Sequence, residues 1–193
     1  TTPSKAINRS KKNKIGPVKQ FALNNNIPII EQEDIRDDAF IQKIKNINAD
    51  IFLVIAYKII PKSVYSIPKY GAVNLHASIL PQYRGAAPIQ RAIINGDQKT
   101  GLSTFFINDK VDGGELIYQE EIPICKNDSF YDLWRKLSQR GASAILSTMD
   151  LIIRNKRQLL PNRGTKTSYA SKINKKELNI NWSERVEDLH NKI

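Results

Sequence analysis

Gly71-Ala-Val-Asn-Leu-His-Ala-Ser-Ile-Leu-Pro-Gln-Tyr-Arg-Gly-Ala-Ala-Pro-Ile-Gln90 decides how the rest of this 193-residue chain is read. Strand side chains point to opposite faces in turn, so Asn74 and His76 leave one face while Val73 and Leu75 leave the other. Pro81, Gly85 and Pro88 then fix the path of a loop, and Pro88 has the φ of a first helical turn, where its missing N–H is not needed. An amide and an imidazole at a strand end, followed by a rigid loop and a helix start, mark the place where open α/β sheets put their sites.

Upstream, Ile51-Phe-Leu-Val-Ile-Ala-Tyr57 is an unbroken apolar run, which predicts a strand buried on both faces of a parallel sheet. Pro61 predicts a helical turn through Val64. Farther back, Gly16-Pro17 open a short helix with Val18, Phe21 and Ala22 on one face, and Ile27 to Ile30 reads as a short strand. Asp37 caps a helix striped by Phe40, Ile41, Ile44 and Ile47. Downstream, Gly101 to Ile107 and Glu115 to Ile124 flank the loop Asn108 to Gly114 as a hairpin. The pattern Ser129-x-x-Asp132 then opens the longest helix, whose Phe130, Leu133, Trp134, Leu137, Ile145, Met149, Ile152 and Ile153 are assigned to the core. Thr167 to Ile173 reads as extended, and the residues after Trp182 as a last helix. This alternation predicts a Rossmann-like α/β fold: an open, mostly parallel sheet flanked by helices, with a hairpin and a long helix at its C-terminal side.

The formal charge of +11 is unevenly spread. Lys5, Arg9, Lys11, Lys12, Lys14 and Lys19 occur without an intervening acid, as do Arg154, Lys156, Arg157, Arg163 and Lys166. Such segments either meet a polyanion or serve as solvated surface. A single cysteine, Cys125, excludes an internal disulfide and a cysteine-based zinc site, and His76 and His190 are too far apart in sequence to favour a metal cluster. No apolar run approaches the ~20 residues of a membrane span. The expected setting is therefore intracellular, without metal or membrane. The chain opens on Thr1 and reads as a piece of a longer protein.

Asp112, in Asn108-Asp-Lys-Val-Asp-Gly-Gly114, would by itself be turn chemistry, because Asp-Gly is a hairpin signal. Together, however, the Asn-x-His-x-Ser-x-Leu-Pro-x-x-x-Gly run from Asn74 to Gly85 and the later Asp-x-Gly loop resemble the folate-dependent formyltransferase family. Gln82-Tyr-Arg-Gly-Ala-Ala-Pro-Ile-Gln90 and the basic segment Arg9 to Ala22 are similar to the branch of that family that acts on methionyl-tRNA. The likeness runs on through Tyr169-Ala170 and Asn181-Trp182. Lys58, where the family usually has Gly, and Gly114-Glu115, where Gly-Asp is common, depart from the pattern.

The resemblance implies transfer of a formyl group from N10 of 10-formyltetrahydrofolate to the α-amine of methionyl-tRNA for translation initiation. It assigns Asn74 and His76 to stabilising the tetrahedral oxyanion, and Asp112 to orienting His76 and helping the proton move. The folate co-substrate is expected along Ser78, Leu80, Pro81 and Gly85, with its pterin near Ile55, Val111 and Gly113. Arg9, Lys11, Lys12 and Lys14 are expected on tRNA phosphates. Residues 1–173 would form the catalytic domain, lacking the family's first strand and helix. Residues 174–193 would begin the link to a C-terminal β-barrel. The expected state is a monomer in a bacterial cytoplasm, with an organelle matrix as the alternative. A sugar-nucleotide formyltransferase or a formyltetrahydrofolate hydrolase would share Asn74, His76 and Asp112, and a non-catalytic RNA-binding module would keep the fold and the charge.

Overall fold

The computed structural model describes residues 1, 3, 15–156, 158–164 and 167–193, in two units, 1–48 and 49–193, taken here one at a time. In the first unit, Pro17 stands at the start of α1 (Pro17–Asn24), and Asp37 caps α2 (Asp38–Ile47) by accepting a hydrogen bond from the Phe40 N–H at 2.8 Å. Both helices match the sequence reading. The strand expected over Ile27 to Ile30 does not form. Pro28 interrupts that run and has no N–H to give to a ladder.

The second unit is built on a four-stranded sheet in the order β1-β2-β4-β5, from β1 (Phe52–Ile55), β2 (Ala72–His76), β4 (Lys99–Phe106) and β5 (Leu116–Pro123). The α/β sheet with flanking helices is as expected. Where a mostly parallel sheet was anticipated, the described strands form a mixed one: β1 and β2 are parallel, whereas β4 is antiparallel to both β2 and β5. The loop 108–114 is short enough for β4 and β5 to pair as a hairpin, which is antiparallel by construction.

Val73 and Leu75 pack toward the long helix α5 (Phe130–Ile153), in clusters with Ile152 and with Leu133 and Leu137. Ser129 and Asp132 form the reciprocal cap that the sequence announces. The face that α5 buries is Leu133, Leu137, Gly141, Ala144, Thr148 and Ile152, an i, i+4 and i+3 stripe. Small and polar residues belong to it: a Cβ on Gly141 would come within 3.1 Å of Leu75, and the Thr148 hydroxyl meets that of Thr104 at 2.7 Å. Trp134, expected in the core, is instead 46% exposed and stacks obliquely on Tyr131. It lies one position beyond the stripe, so its ring turns away from the sheet.

The apolar run in β1 is likewise not buried on both faces in this chain, since Leu53 is 42% and Ile55 56% exposed. Among the described strands β1 lies at the edge, and α5 covers that face of the sheet at Val73 and Leu75 but not as far as Leu53 and Ile55. Pro61 precedes the short helix α3 (Lys62–Tyr65), and on α4 (Pro88–Ile94) Ile89 and Ile93 join the Leu133 cluster and anchor the element that follows the loop. Two residues of that loop form β3 (Arg84–Gly85), which pairs in parallel with β6 (Tyr169–Ala170). A final helix, α6, spans Val186–Lys192. No described helix is long and apolar enough to cross a membrane.

Leu133→Ala removes a fully buried side chain and is expected to lower unfolding free energy by about 2–5 kcal/mol, against about 1 kcal/mol for loss of the cap in Ser129→Ala. Urea unfolding reads both, and a Leu133 variant costing no more than the cap variant would contradict this packing.

Candidate active site

His76 ends β2 on the face opposite α5 and is 7% exposed. Its Nε2 lies 2.8 Å from the Tyr83 carbonyl oxygen. A carbonyl only accepts, so Nε2 carries the proton and Nδ1 is left to act. Nδ1 faces Asp112, whose Oδ2 is 3.8 Å away: close enough for charge interaction, too far for a hydrogen bond. Oδ2 instead accepts the Gly85 backbone N–H at 2.8 Å. Asn74, two residues before His76 on the same face, is half-buried, and its amide makes no hydrogen bond to another described residue.

The backbone that sets these atoms is unusual. Tyr83 (φ +57°) and Asp112 (φ +46°) occupy the left-handed region, which costs a non-glycine residue about 1–3 kcal/mol. Each is held from outside. The Tyr83 N–H donates to Ser168 Oγ at 2.9 Å, and its phenol donates to Asp97 at 2.6 Å while accepting from Asn95. Burial and the Asp97 bond push that phenol up to about 12, so it remains a donor at neutral pH. Asp112 is held through its carbonyl, which accepts from Asn162 Nδ2 at 2.8 Å. Beside it, a Cβ on Gly114 would fall 1.6 Å from the Phe106 oxygen, so the hairpin closes only on glycine.

Ser78 and Leu80, expected along a folate cleft, are buried beneath the loop. The Ser78 hydroxyl donates to the Gln82 carbonyl. Ser103, the cross-strand neighbour of His76, donates to the Ser78 carbonyl and accepts from the Leu80 N–H and from Gln119, which also donates to the Leu80 carbonyl. These buried polar groups shape the loop from below, and the Leu80–Pro81 peptide within it is cis. Pro81, Gly85 and Gly113 are partly exposed, while Ile55 and Val111 expose apolar side chains. Arg9, Lys11, Lys12 and Lys14 lie outside the described residues.

Of the three residues that the sequence reading expected to act, His76 and Asp112 thus lie 3.8 Å apart, and Asn74 shares the His76 face of β2. The supports Tyr83, Asn162, Ser168, Ser103 and Gln119 were not singled out by it. Ser103 carried a signal, a hydroxyl within an apolar strand on the His76 face. Asn162 carried none, since Pro161-Asn162 after a helix reads as an ordinary turn. Among the described residues no group of three or more His, Cys, Asp or Glu is placed to hold a metal ion. A separate depression of about 300 Å³ lies among Arg91, Ile94, Glu177, Glu184 and Lys192, but its cations are already paired, Arg91 with Glu177 and Lys192 with Glu184.

Comparison with known proteins bears on this geometry. Residues 1–149 match the formyl transferase family. Methionyl-tRNA formyltransferase of Fusobacterium nucleatum is 39% identical over 184 residues, 95% of this chain and 59% of that protein. The Bacteroides fragilis enzyme of the same name is 38% identical over 98% of this chain and 60% of its own length. The chain therefore spans about three-fifths of these curated relatives. A crystal structure of WlaRD, a sugar 3N-formyl transferase with dTDP and 5-N-formyl-THF, superposes with a TM-score of 0.70 at 26% identity, covering 98% of this chain and 65% of that one. An N-formyltransferase from Helicobacter canadensis, complexed with folinic acid and dTDP-3-aminofucose, shares the fold at a TM-score of 0.72 and 21% identity, over 97% of this chain and 65% of its own. With a family match across 149 of its 193 residues, and with Asn74, His76 and Asp112 converging at the end of β2, this chain belongs to the formyl transferase family.

Proposed function

We propose that this chain is the catalytic part of a methionyl-tRNA formyltransferase of the bacterial cytoplasm, acting as a monomer. It would move a formyl group from 10-formyltetrahydrofolate to the α-amine of methionyl-tRNA. The observation that carries this reading is an Asn74 amide with no partner among the described residues, on the same strand face as a His76 whose Nε2–H is tied down and whose Nδ1 looks toward Asp112. Relatives named for this activity, alike over nearly the whole chain, support it. Residues 1–173 would be the catalytic domain, and 174–193 the start of a link to a further domain.

The co-substrate supplies an acyl group on nitrogen, and the acceptor is an amine with a pKa near ~8, partly neutral at physiological pH. The C–N10 bond breaks, a C–N bond to the α-amine forms, and one amine proton must reach N10. The Asn74 amide can donate to the formyl oxygen as negative charge builds there, an interaction worth about 3 kcal/mol in comparable sites. Neutral His76 can take the amine proton on Nδ1. The Asp112 carboxylate stabilises the resulting cation across 3.8 Å. Exposed Val111 supplies apolar surface for a pterin, with Pro81, Gly85 and Gly113 lining the approach, whereas Ile55, expected there, leaves β1 on the α5 face with Leu75. Ser78 and Leu80 serve from below by fixing the loop. Arg9, Lys11, Lys12 and Lys14 would hold tRNA phosphates.

In the full-length protein, Asn74→Ala is expected to lower kcat about 10²- to 10³-fold with the melting temperature unchanged, because the amide has no partner among the described residues. His76→Ala should lose at least as much. Formylation of methionyl-tRNA reads both, and near-normal turnover in either variant would sink the assignment. The likeness to WlaRD favours sugar N-formyl transfer as a second reading, which a dTDP-amino-sugar acceptor in the same assay decides. Replacing Lys11, Lys12 and Lys14 with Ala should flatten the dependence of log Kobs for tRNA on log salt by about 2 to 3. An unchanged slope would return that segment to solvated surface.

A further inference from the structure

We infer that Asn162 is a positioning residue for the candidate site, holding Asp112 in the conformation that places its carboxylate between Gly85 and His76. This rests on the formyl-transfer reading above. Asn162 is 5% exposed, in the segment after α5. Its Oδ1 and its backbone carbonyl both accept from one terminal nitrogen of Arg84, at 2.9 and 2.6 Å. A guanidinium only donates, so the amide orientation is fixed: oxygen toward Arg84, nitrogen toward the hairpin. That nitrogen donates to the Asp112 carbonyl at 2.8 Å.

The geometry makes this one bond consequential. Asp112 is a non-glycine residue at φ +46°, a conformation that persists only where surroundings hold it. Its other polar contacts run through the side chain: Oδ2 to the Gly85 N–H, and charge to His76 Nδ1. Rotation about the Asp112 backbone would therefore carry the carboxylate away from both. Because Arg84 and Gly85 are adjacent, the chain closes a ring: Gly85 to Asp112, Asp112 to Asn162, and Asn162 to Arg84. The same segment also pairs β6 with β3 and supplies Ser168 to Tyr83. Asn162 bonds to neither Asn74 nor His76, so a change that keeps its Arg84 contact reaches the site through Asp112.

Asn162→Asp tests this in the full-length protein. The carboxylate still accepts from Arg84 but has no N–H for Asp112, while Asn162→Leu keeps the heavy-atom count and branching, removes both side-chain contacts and leaves the backbone carbonyl on Arg84. Both variants are expected to stay folded, to lose about 10- to 100-fold in kcat with little change in folate KM, and to lose hydrogen-exchange protection at the Gly85 amide. In an Asp112→Asn background the kinetic loss should largely vanish, whereas a merely structural role would lower kcat by the same factor in either background. Full kcat in Asn162→Asp, retained Gly85 protection, equal losses in both backgrounds, or unfolding of both variants would each overturn the proposal. Gly85 exchange is read without turnover. Loss of protection in Asn162→Asp alongside a wild-type protein that does not formylate methionyl-tRNA would therefore reject the functional reading and keep the positioning role.

Discussion

The hydrogen bond from the Gly85 N–H to Asp112 Oδ2 joins two loops that are 27 residues apart. One loop leaves β2 and carries the backbone that holds His76; the other is the tip of the β4–β5 hairpin. This link sets the Asp112 carboxylate relative to His76, because their 3.8 Å separation is not itself a hydrogen bond. Much of the surrounding architecture meets the needs of these two loops. Gly114 lets the hairpin close against Phe106, α4 ties down the far end of the Gly85 loop, and β6 pairs with Arg84–Gly85 from the C-terminal side.

The two sides of the sheet are built on different principles. The α5 side is mainly apolar and close-packed, with Leu133, Leu137, Ile152 and the small residues Gly141 and Ala144 against Val73, Leu75 and Leu102, and with one buried hydroxyl pair, Thr104 and Thr148. Its stability is mainly a matter of buried area and shape. The opposite side buries polar groups, Ser78, Ser103 and His76, and does so at tolerable cost because each is paired. Asn74 differs from them, a half-buried amide with no hydrogen-bond partner among the described residues.

Local rules made much of this legible in the sequence. Pro88 marked its helix, Ser129 and Asp132 marked a reciprocal cap, the Asp-Gly loop marked a hairpin, and alternation put Asn74 and His76 on one face. What escaped was set by tertiary contact. Trp134 fits a generous apolar stripe, but the true stripe passes through Gly141, Ala144 and Thr148, whose fitness lies in closeness to the sheet. The run in β1 could not announce that α5 would stop short of Leu53 and Ile55. Asn162 and Ser168 act 50 and 85 residues from their partners, a separation no local pattern encodes.

The central claim is that the Asn74 and His76 face of β2, closed by the Asp112 loop, receives the formyl donor. Titration of 5-formyltetrahydrofolate into the ¹⁵N-labelled full-length protein, followed by two-dimensional NMR, tests it most directly. The account predicts saturable shifts of the Asn74 side-chain amide and of the Gly85 and Gly113 backbone amides. Saturable shifts confined to other residues, such as those around Arg91 and Lys192, with these three unmoved, would contradict it.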